Sequence, residues 1–364
     1  MVIEVKFILI GNNSTGLYGF RGGLISELQK KGQVLCVTPF DGCESELQAM
    51  GCQILEASVD RRGLNPLKDV RLYRTYRKYF REVQPDLVIT YTIKPNIYGG
   101  YAARRCKVPY AVNITGLGTA FQKPGMLRRL VTVMYKVALK KVKTVFFENQ
   151  ENRDVFVNLG IVPESKCILL HGAGVNLEHF SLTPYPPESD VTRFLFTGRV
   201  MAEKGVEELF SAMERLVSEG RKCELHVLGG YEEDYKAAIQ KYEQAGWLHY
   251  HGFVQDVRPY IEDCHCFVLP SWHEGMANVN LESAAMGRPL ITSRIHGCME
   301  AVVEGESGLL CERKNANSLY EAMKAFMDLP YEQKKAMGLA GRRHMEAVFD
   351  KRKVVQETVA GLGL

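Results

Sequence analysis

The sequence predicts an α/β protein with two Rossmann-like, doubly wound parallel-sheet domains facing across a cleft. Three observations predict it. Short strand-like runs alternate with helix-spaced segments along the chain, the pattern of parallel sheets covered by helices. That rhythm stops at a polar, proline-rich stretch, SLTPYPPESD from Ser181 to Asp190, and then restarts. The 364 residues also exceed the size that one core usually supports. The expected organisation is therefore a first domain over 1–180, a linker over 181–190, a second domain over 191–345 and a C-terminal helix over 346–364. A cleft between two such domains is a favoured place for a ligand.

In the first domain, strands are expected at Val5 to Ile10, Val34 to Thr38, Gln53 to Ala57, Asp86 to Tyr91, Tyr110 to Thr115, Thr144 to Glu148 and Cys167 to Leu170. The loop Gly11 to Gly16 follows the first strand and feeds a helix to about Lys31. It is either a phosphate cradle or a plain turn, because it is neither GxGxxG nor a loop ending in Gly-Lys-Ser/Thr. Between Leu67 and Glu82, Tyr73, Tyr76, Phe80 and Val83 form an apolar stripe, and the arginines lie largely elsewhere, as on a solvated face. In Gly125 to Lys143, apolar Leu127, Leu130, Val131, Met134, Val137 and Ala138 follow helical spacing. Arg128, Arg129, Lys136, Lys140, Lys141 and Lys143 flank them and no acid is present. Such a helix either rests on an anionic membrane leaflet or covers a sheet with a basic outer face.

In the second domain, strands are expected at Arg193 to Thr197, Cys223 to Leu228, Leu248 to Phe253, Cys266 to Leu269, Pro289 to Thr292 and Gly308 to Cys311. The region Tyr331 to Gly361 reads as two helices around Phe349 and Asp350.

Composition narrows the function. With 46% hydrophobic and 24% charged residues there is material for two cores. A net charge of +4 is too small to argue for a nucleic-acid partner. No run approaches the roughly 18 apolar residues of a membrane span, and Phe7 to Ile10 is too short for a signal core. The ten cysteines include no CxxC pair, and strand alternation would split Cys264, His265 and Cys266 between faces. Reduced core thiols point to a cytoplasmic protein, soluble or peripheral on the inner face of the cell membrane.

The chemistry concentrates in SWHEGMANVNLESAAMGRPL, Ser271 to Leu290. A strand before Pro270, a loop, then a helix capped by Asn278 and ended by Gly287 would sit at the carboxyl edge of a sheet, where ligands bind. Glu274 falls on the loop and Glu282 in the first helical turn. At about 1.5 Å per residue they would be roughly 12 Å apart, which suits opposite ends of an elongated polyol-phosphate ligand. The plainer alternative is a first-turn Glu favoured by the helix dipole beside an incidental loop Glu. A second loop, FTGRVMAEKG from Phe196 to Gly205, adds Arg199, a planar fork, and Lys204, a mobile point charge, both suited to phosphate. The chain has no Asp-x-Asp pair, HExxH or GxSxG. A site without metal would stabilise a leaving phosphate by fixed cations and helix ends.

These motifs resemble family 4 nucleotide-sugar glycosyltransferases of the GT-B fold: FTGRVMAEKG, the Glu274-x7-Glu282 spacing and Gly308 to Cys311. In the first half, Gly19-Phe20-Arg21, DLVITYTIKPNIY from Asp86, NITGLG from Asn113, Phe147 to Leu159 and Gly172 to Val175 agree as well. The chain particularly resembles bacterial enzymes that extend polyprenyl diphosphate-linked sugars in capsule, O-antigen or N-glycan assembly. The resemblance implies a retaining transfer of a hexose or N-acetylhexosamine from a UDP-sugar donor to a polyprenyl diphosphate-linked sugar acceptor, with the acceptor on the N-terminal domain and no metal or other cofactor. It implies that Arg199 and Lys204 bind the donor diphosphate, that Glu274 touches the donor-sugar hydroxyls, and that Glu282 holds the ribose. Gly16 would approach the phosphate from the other domain, and Val254 would lie in the loop against the base. Gly275 and Asn278 complete the donor set, and the last helix would cross back onto the N-terminal domain. Met276-Ala277-Asn278 departs from the family's Phe-Pro-Asn, and Thr115-Gly116 stands where several members have His-Gly, so no catalytic histidine carries over. A sugar-nucleotide epimerase or phosphorylase of similar architecture, and a non-enzymatic nucleotide-sugar sensor, are the alternative readings.

Overall fold

The computed structural model describes residues 5–60, 65–121 and 125–364. The chain forms two units, Met1–Ala173 together with Arg352–Leu364, and Gly174–Lys351.

The first unit is built on seven strands: β1 (Val5–Ile10), β2 (Gly32–Thr38), β3 (Gln53–Glu56), β4 (Leu87–Tyr91), β5 (Tyr110–Ile114), β6 (Thr144–Phe147) and β7 (Cys167–Leu169). Their order is β3-β2-β1-β4-β5-β6-β7 and every pairing is parallel. Parallel strands have helices on both faces, which is why β4, β5 and β6 are buried along their whole length. Alternation then sends neighbouring residues to different cores. Ile8, Val88 and Val112 join Tyr76, Tyr135 and Phe156 in one cluster. Phe7, Leu9, Ile89 and Ala111 join Leu24, Leu28, Val354 and Leu362 in the other.

Val354 and Leu362 come from the last helix, Lys351–Gly361. Gly361 is there because it lies against β6 and β7: a Cβ would stand 2.7 Å from both Phe146 and Ile168. Lys143 Nζ and Thr144 Oγ1 donate to the final carbonyls of Leu362 and Gly361 at 2.5 and 3.1 Å.

Two local readings change here. The helix after β1 starts at Ser14, so Gly16 lies in its first turn and the glycine loop shrinks to Gly11–Asn13. The cause is capping: Asn13 Oδ1 accepts from Gly16 N at 2.6 Å, and Asp41 accepts from both Ser14 N and Ser14 Oγ at 2.7 Å. The helix Met126–Ala138 is apolar on two faces. Val131, Tyr135 and Ala138 are buried, whereas Met126, Leu127, Leu130, Val133 and Val137 are exposed, so the single stripe read from spacing divides.

The second unit contains β8 (Thr192–Thr197), β9 (Cys223–Leu228), β10 (Leu248–Gly252), β11 (Cys266–Leu269), β12 (Leu290–Ser293) and β13 (Gly308–Cys311). The sheet is again wholly parallel, in the order β10-β9-β8-β11-β12-β13. Its order reverses between β8 and β11, the pair whose following loops carry FTGRVMAEKG and SWHEG.

The stretch 181–190 belongs to this unit, and the chain passes between units at Ala173 and Gly174 instead. A fully buried Arg288 holds it down, donating to Thr183 Oγ1 and Pro184 O at 2.8 Å and to Ile261 O and Glu262 O at 2.9 Å. Tyr185 OH adds a bond to His265 O at 2.9 Å. Proline and polar composition marks irregular backbone; it does not say what that backbone lies against.

All ten cysteines are free thiols, seven of them buried. Among the described residues no helix is long and apolar enough to cross a membrane.

Candidate functional site

The site is assembled by two loops that leave neighbouring strands. After β8 the chain passes Gly198 and Arg199, turns through Ala202–Lys204 and reaches Gly205, whose φ of +74° opens the helix Val206–Ser218. A Cβ on Gly205 would lie 2.1 Å from the carbonyl oxygen of Pro270, so only glycine lets the β8 loop close on the β11 loop. Trp272 N completes the contact by donating to Glu203 O at 2.9 Å.

That closure sets the central pair. Lys204 Nζ donates to Glu274 Oε1 at 2.5 Å, and Ser271 Oγ donates to the same oxygen at 2.7 Å. The side chains are 20% and 13% exposed, enough shelter for the charge interaction to be felt and enough access for a ligand to enter it. The loop is fixed from below by Gly297, with φ +90°, whose Cβ would meet Glu274 O at 2.7 Å and Gly275 O at 2.8 Å. Gly297 O accepts from Ala277 N at 2.7 Å, and Gly297 N donates to Glu300 at 2.7 Å.

The helix that follows runs Asn278–Ala285 and is preceded by Ala277 at the cap position. Asn278 is thus its first residue and makes no capping bond; the turn at Ala277, tied to Gly297, starts the helix one residue earlier. Its Oδ1 is buried with no hydrogen-bond partner, as is Thr197 Oγ1 at the end of β8. Glu282 accordingly lies in the second turn, beyond the first-turn dipole. Its carboxylate makes no side-chain hydrogen bond among the described residues, and burial pushes its pKa up to about 7 against a weaker opposing pull from Lys351. A buried polar atom without a partner costs about 1–3 kcal/mol, and a ligand that reached Asn278 Oδ1 or Thr197 Oγ1 could supply one.

The other expected residues separate. Arg199 shares the loop of Lys204 but is engaged by Glu232 at 3.3 Å and is 53% exposed. Gly275 lies next to the central pair, while half-buried Val254 follows β10 at the sheet's edge. Gly16 belongs to the first unit. His273 is exposed and stands 3.7 Å from Glu203. Neither Ser271 nor Gly297 is singled out by the sequence; a glycine four residues beyond β12 gives no sign of which loop it supports.

Known proteins bear on this geometry. A family model for glycosyl transferases group 1 matches residues 191–328, and one for the glycosyl transferase 4-like group matches residues 8–149. The chain belongs to the family 4 glycosyltransferases of the GT-B fold. This glycosyltransferase is 26% identical to the N,N'-diacetylbacillosaminyl-diphospho-undecaprenol alpha-1,3-N-acetylgalactosaminyltransferase of Campylobacter jejuni, over 95% of each chain. It is 23% identical to the capsular polysaccharide biosynthesis glycosyltransferase CapM of Staphylococcus aureus, over 92% of this chain and 91% of that one. Among solved structures it is similar to a Rickettsia africae glycosyltransferase, with TM-score 0.81, 16% identity and coverage of 99% and 98%. It is also similar to Anabaena HepE in complex with UDP and glucose, with TM-score 0.81, 13% identity and 99% of each chain covered.

Proposed function

We propose that this glycosyltransferase moves a hexose or N-acetylhexosamine from a UDP-sugar to a lipid-linked sugar, with retained anomeric configuration, in the assembly of a surface polysaccharide or glycan. The observation that carries the reading is the Lys204–Glu274 pair at the switch point of the second sheet. A donor entering here would exchange partners with it. The Lys204 ammonium turns to the diphosphate, Glu274 accepts from sugar hydroxyls, and Arg199, released from Glu232, adds its planar fork to the phosphate oxygens. As the glycosidic bond to UDP breaks, charge grows on the leaving diphosphate, and cations already in place stabilise it without reorganisation. Glu282 holds the ribose hydroxyls, which supply the donors its carboxylate lacks. Gly275 on the loop and Asn278 at the start of the helix complete the donor contacts, Val254 lies toward the base, and these steps call on no metal.

The acceptor assignment is supported by the names of the relatives, one acting on a diphospho-undecaprenol-linked sugar and one in capsule biosynthesis. The helix Met126–Ala138 supports a site of action at the inner face of the cell membrane. Met126, Leu130 and Val133 are 87%, 56% and 57% exposed, beside exposed Arg129 and Lys136, an apolar and basic surface suited to an anionic leaflet. The test is UDP release from a panel of UDP-sugars, with a polyprenyl diphosphate-linked sugar as acceptor. Acceptor-dependent release that disappears in Arg199→Ala is expected. Turnover near the wild-type level in that variant would overturn the site.

A further inference from the structure

The outer pair of strands in the second sheet carries a cluster that the transfer reaction does not use. β9 and β10 pair in register with His249 opposite His226. Alternation brings Glu224 and His226 of β9 and His249 of β10 to one face. One ligand atom from each of these three residues lies within 4.8 Å of the other two. The Glu224 carboxylate spans the rings, with Oε1 3.5 Å from His226 Nε2 and Oε2 3.5 Å from His249 Nε2. The remaining nitrogen of His226, Nδ1, is 3.0 Å from His251 Nε2, and the two rings are within 9° of parallel.

We propose that Glu224, His226 and His249 bind a divalent transition-metal ion of the zinc class, with His251 as the positioning residue behind His226. Two imidazoles and a carboxylate are a ligand set that suits zinc, cobalt, nickel or copper and not magnesium or calcium, which take oxygen ligands. When His226 donates Nδ1–H to His251 Nε2, its lone pair is left on Nε2, the atom that faces Glu224. A second hydrogen bond of this kind fixes the tautomer and ring angle of metal-binding histidines. The roughly 3.3 Å separations of a tetrahedral site with bonds of about 2.0–2.1 Å are reached when ligand atoms now within 4.8 Å of one another draw together by about 1.5 Å at most. The side chains of Glu224, His226 and His249 are 27%, 21% and 44% exposed, which leaves an entry path and a fourth position for water. A cavity of about 240 Å³, lined in part by His226, His251 and Tyr260, adjoins the cluster. The ion would clamp β10, an edge strand, onto β9. Its ligands include none of Arg199, Lys204, Glu274 and Glu282, the residues assigned to the sugar transfer.

The test uses the full, untagged chain, stripped with a chelator and titrated with Zn²⁺ in a calorimeter and with Co²⁺ by visible absorption, with Mg²⁺ as the control. One tight equivalent of Zn²⁺ and the absorption bands of four-coordinate Co²⁺ are expected, both lost in a His226→Ala/His249→Ala double variant whose circular dichroism is unchanged. Glu224→Gln should weaken binding by roughly tenfold or more. His251→Ala should weaken it about 10–100-fold, with partial rescue by His251→Gln, which keeps an acceptor. The ten thiols are common to every variant, so only the difference is read. Equal Zn²⁺ uptake by the wild type and the double variant would overturn the proposal, as would equal binding of Mg²⁺.

Discussion

Replacing Glu282 by Gln keeps the shape of the side chain and removes its charge. Burial holds the folded-state pKa at about 7, above the ordinary 4.5, so the folded protein keeps this proton more tightly than the unfolded chain does. The group's contribution to stability is then complete below about pH 4.5 and drains away as pH rises through about 7. The gap corresponds to roughly 3 kcal/mol, and residual solvent contact lowers the usable figure to about 1–2 kcal/mol. Glu282→Gln should therefore melt higher than the wild type at about pH 8, by about 2–6 °C for a domain of this size, and at nearly the same temperature at about pH 5. Thermal unfolding at the two pH values is the assay. A variant that melts lower by the same amount at both would show that the carboxylate has partners in the fold, and the reasoning would fail. The same variant should raise KM for the UDP-sugar more than it lowers kcat, because ribose binding is shared by ground and transition states.

Lys204→Ala should reduce kcat about 10²–10³-fold with little change in the unfolding midpoint; a loss of affinity for UDP without any loss of kcat would place the ammonium away from the leaving group. Gly205→Ala combines a φ of +74° with a Cβ 2.1 Å from Pro270 O, and a urea midpoint lowered by the equivalent of about 2–4 kcal/mol is expected. An unchanged midpoint would mean that the two loops do not depend on that contact. Changing Met126, Leu130 and Val133 together to Ser should leave the melting temperature within about a degree, because these side chains are exposed, and should abolish co-sedimentation with vesicles containing anionic lipid. Retained co-sedimentation would remove this helix from the membrane reading.

The strands were the most legible feature. Among the described residues all thirteen strands fall within two residues of the expected ends, most clearly β4, β5, β6 and β11, because a parallel strand buried on both faces leaves a continuous apolar signature. Glu274 and Lys204 could be placed on loops of one sheet edge, since a strand's carboxyl end is fixed once the strand is found. What escaped depends on partners distant in sequence. Asn278 looks like a cap, yet Gly297 has already fixed the turn at Ala277. The stretch 181–190 looks like a linker until Arg288, a hundred residues later, fastens it. The exposed face of Met126–Ala138 was hidden for the same reason: spacing shows which residues share a stripe but not which stripe meets a neighbour.

The passage points between the units have a bearing on how the protein is made. Val175 N donates to Phe349 O at 2.8 Å and Lys351 N donates to Val175 O at 3.0 Å, so the second unit begins and ends at the same two rungs. It is an uninterrupted length of chain with its ends joined, so every residue of its core has been added once synthesis reaches Lys351. The first unit needs a distant stretch as well: its core is incomplete until Arg352–Leu364 brings in Val354 and Leu362. A stop codon just before Arg352 would therefore injure the unit that was synthesised earlier and spare the one that carries Lys204 and Glu274.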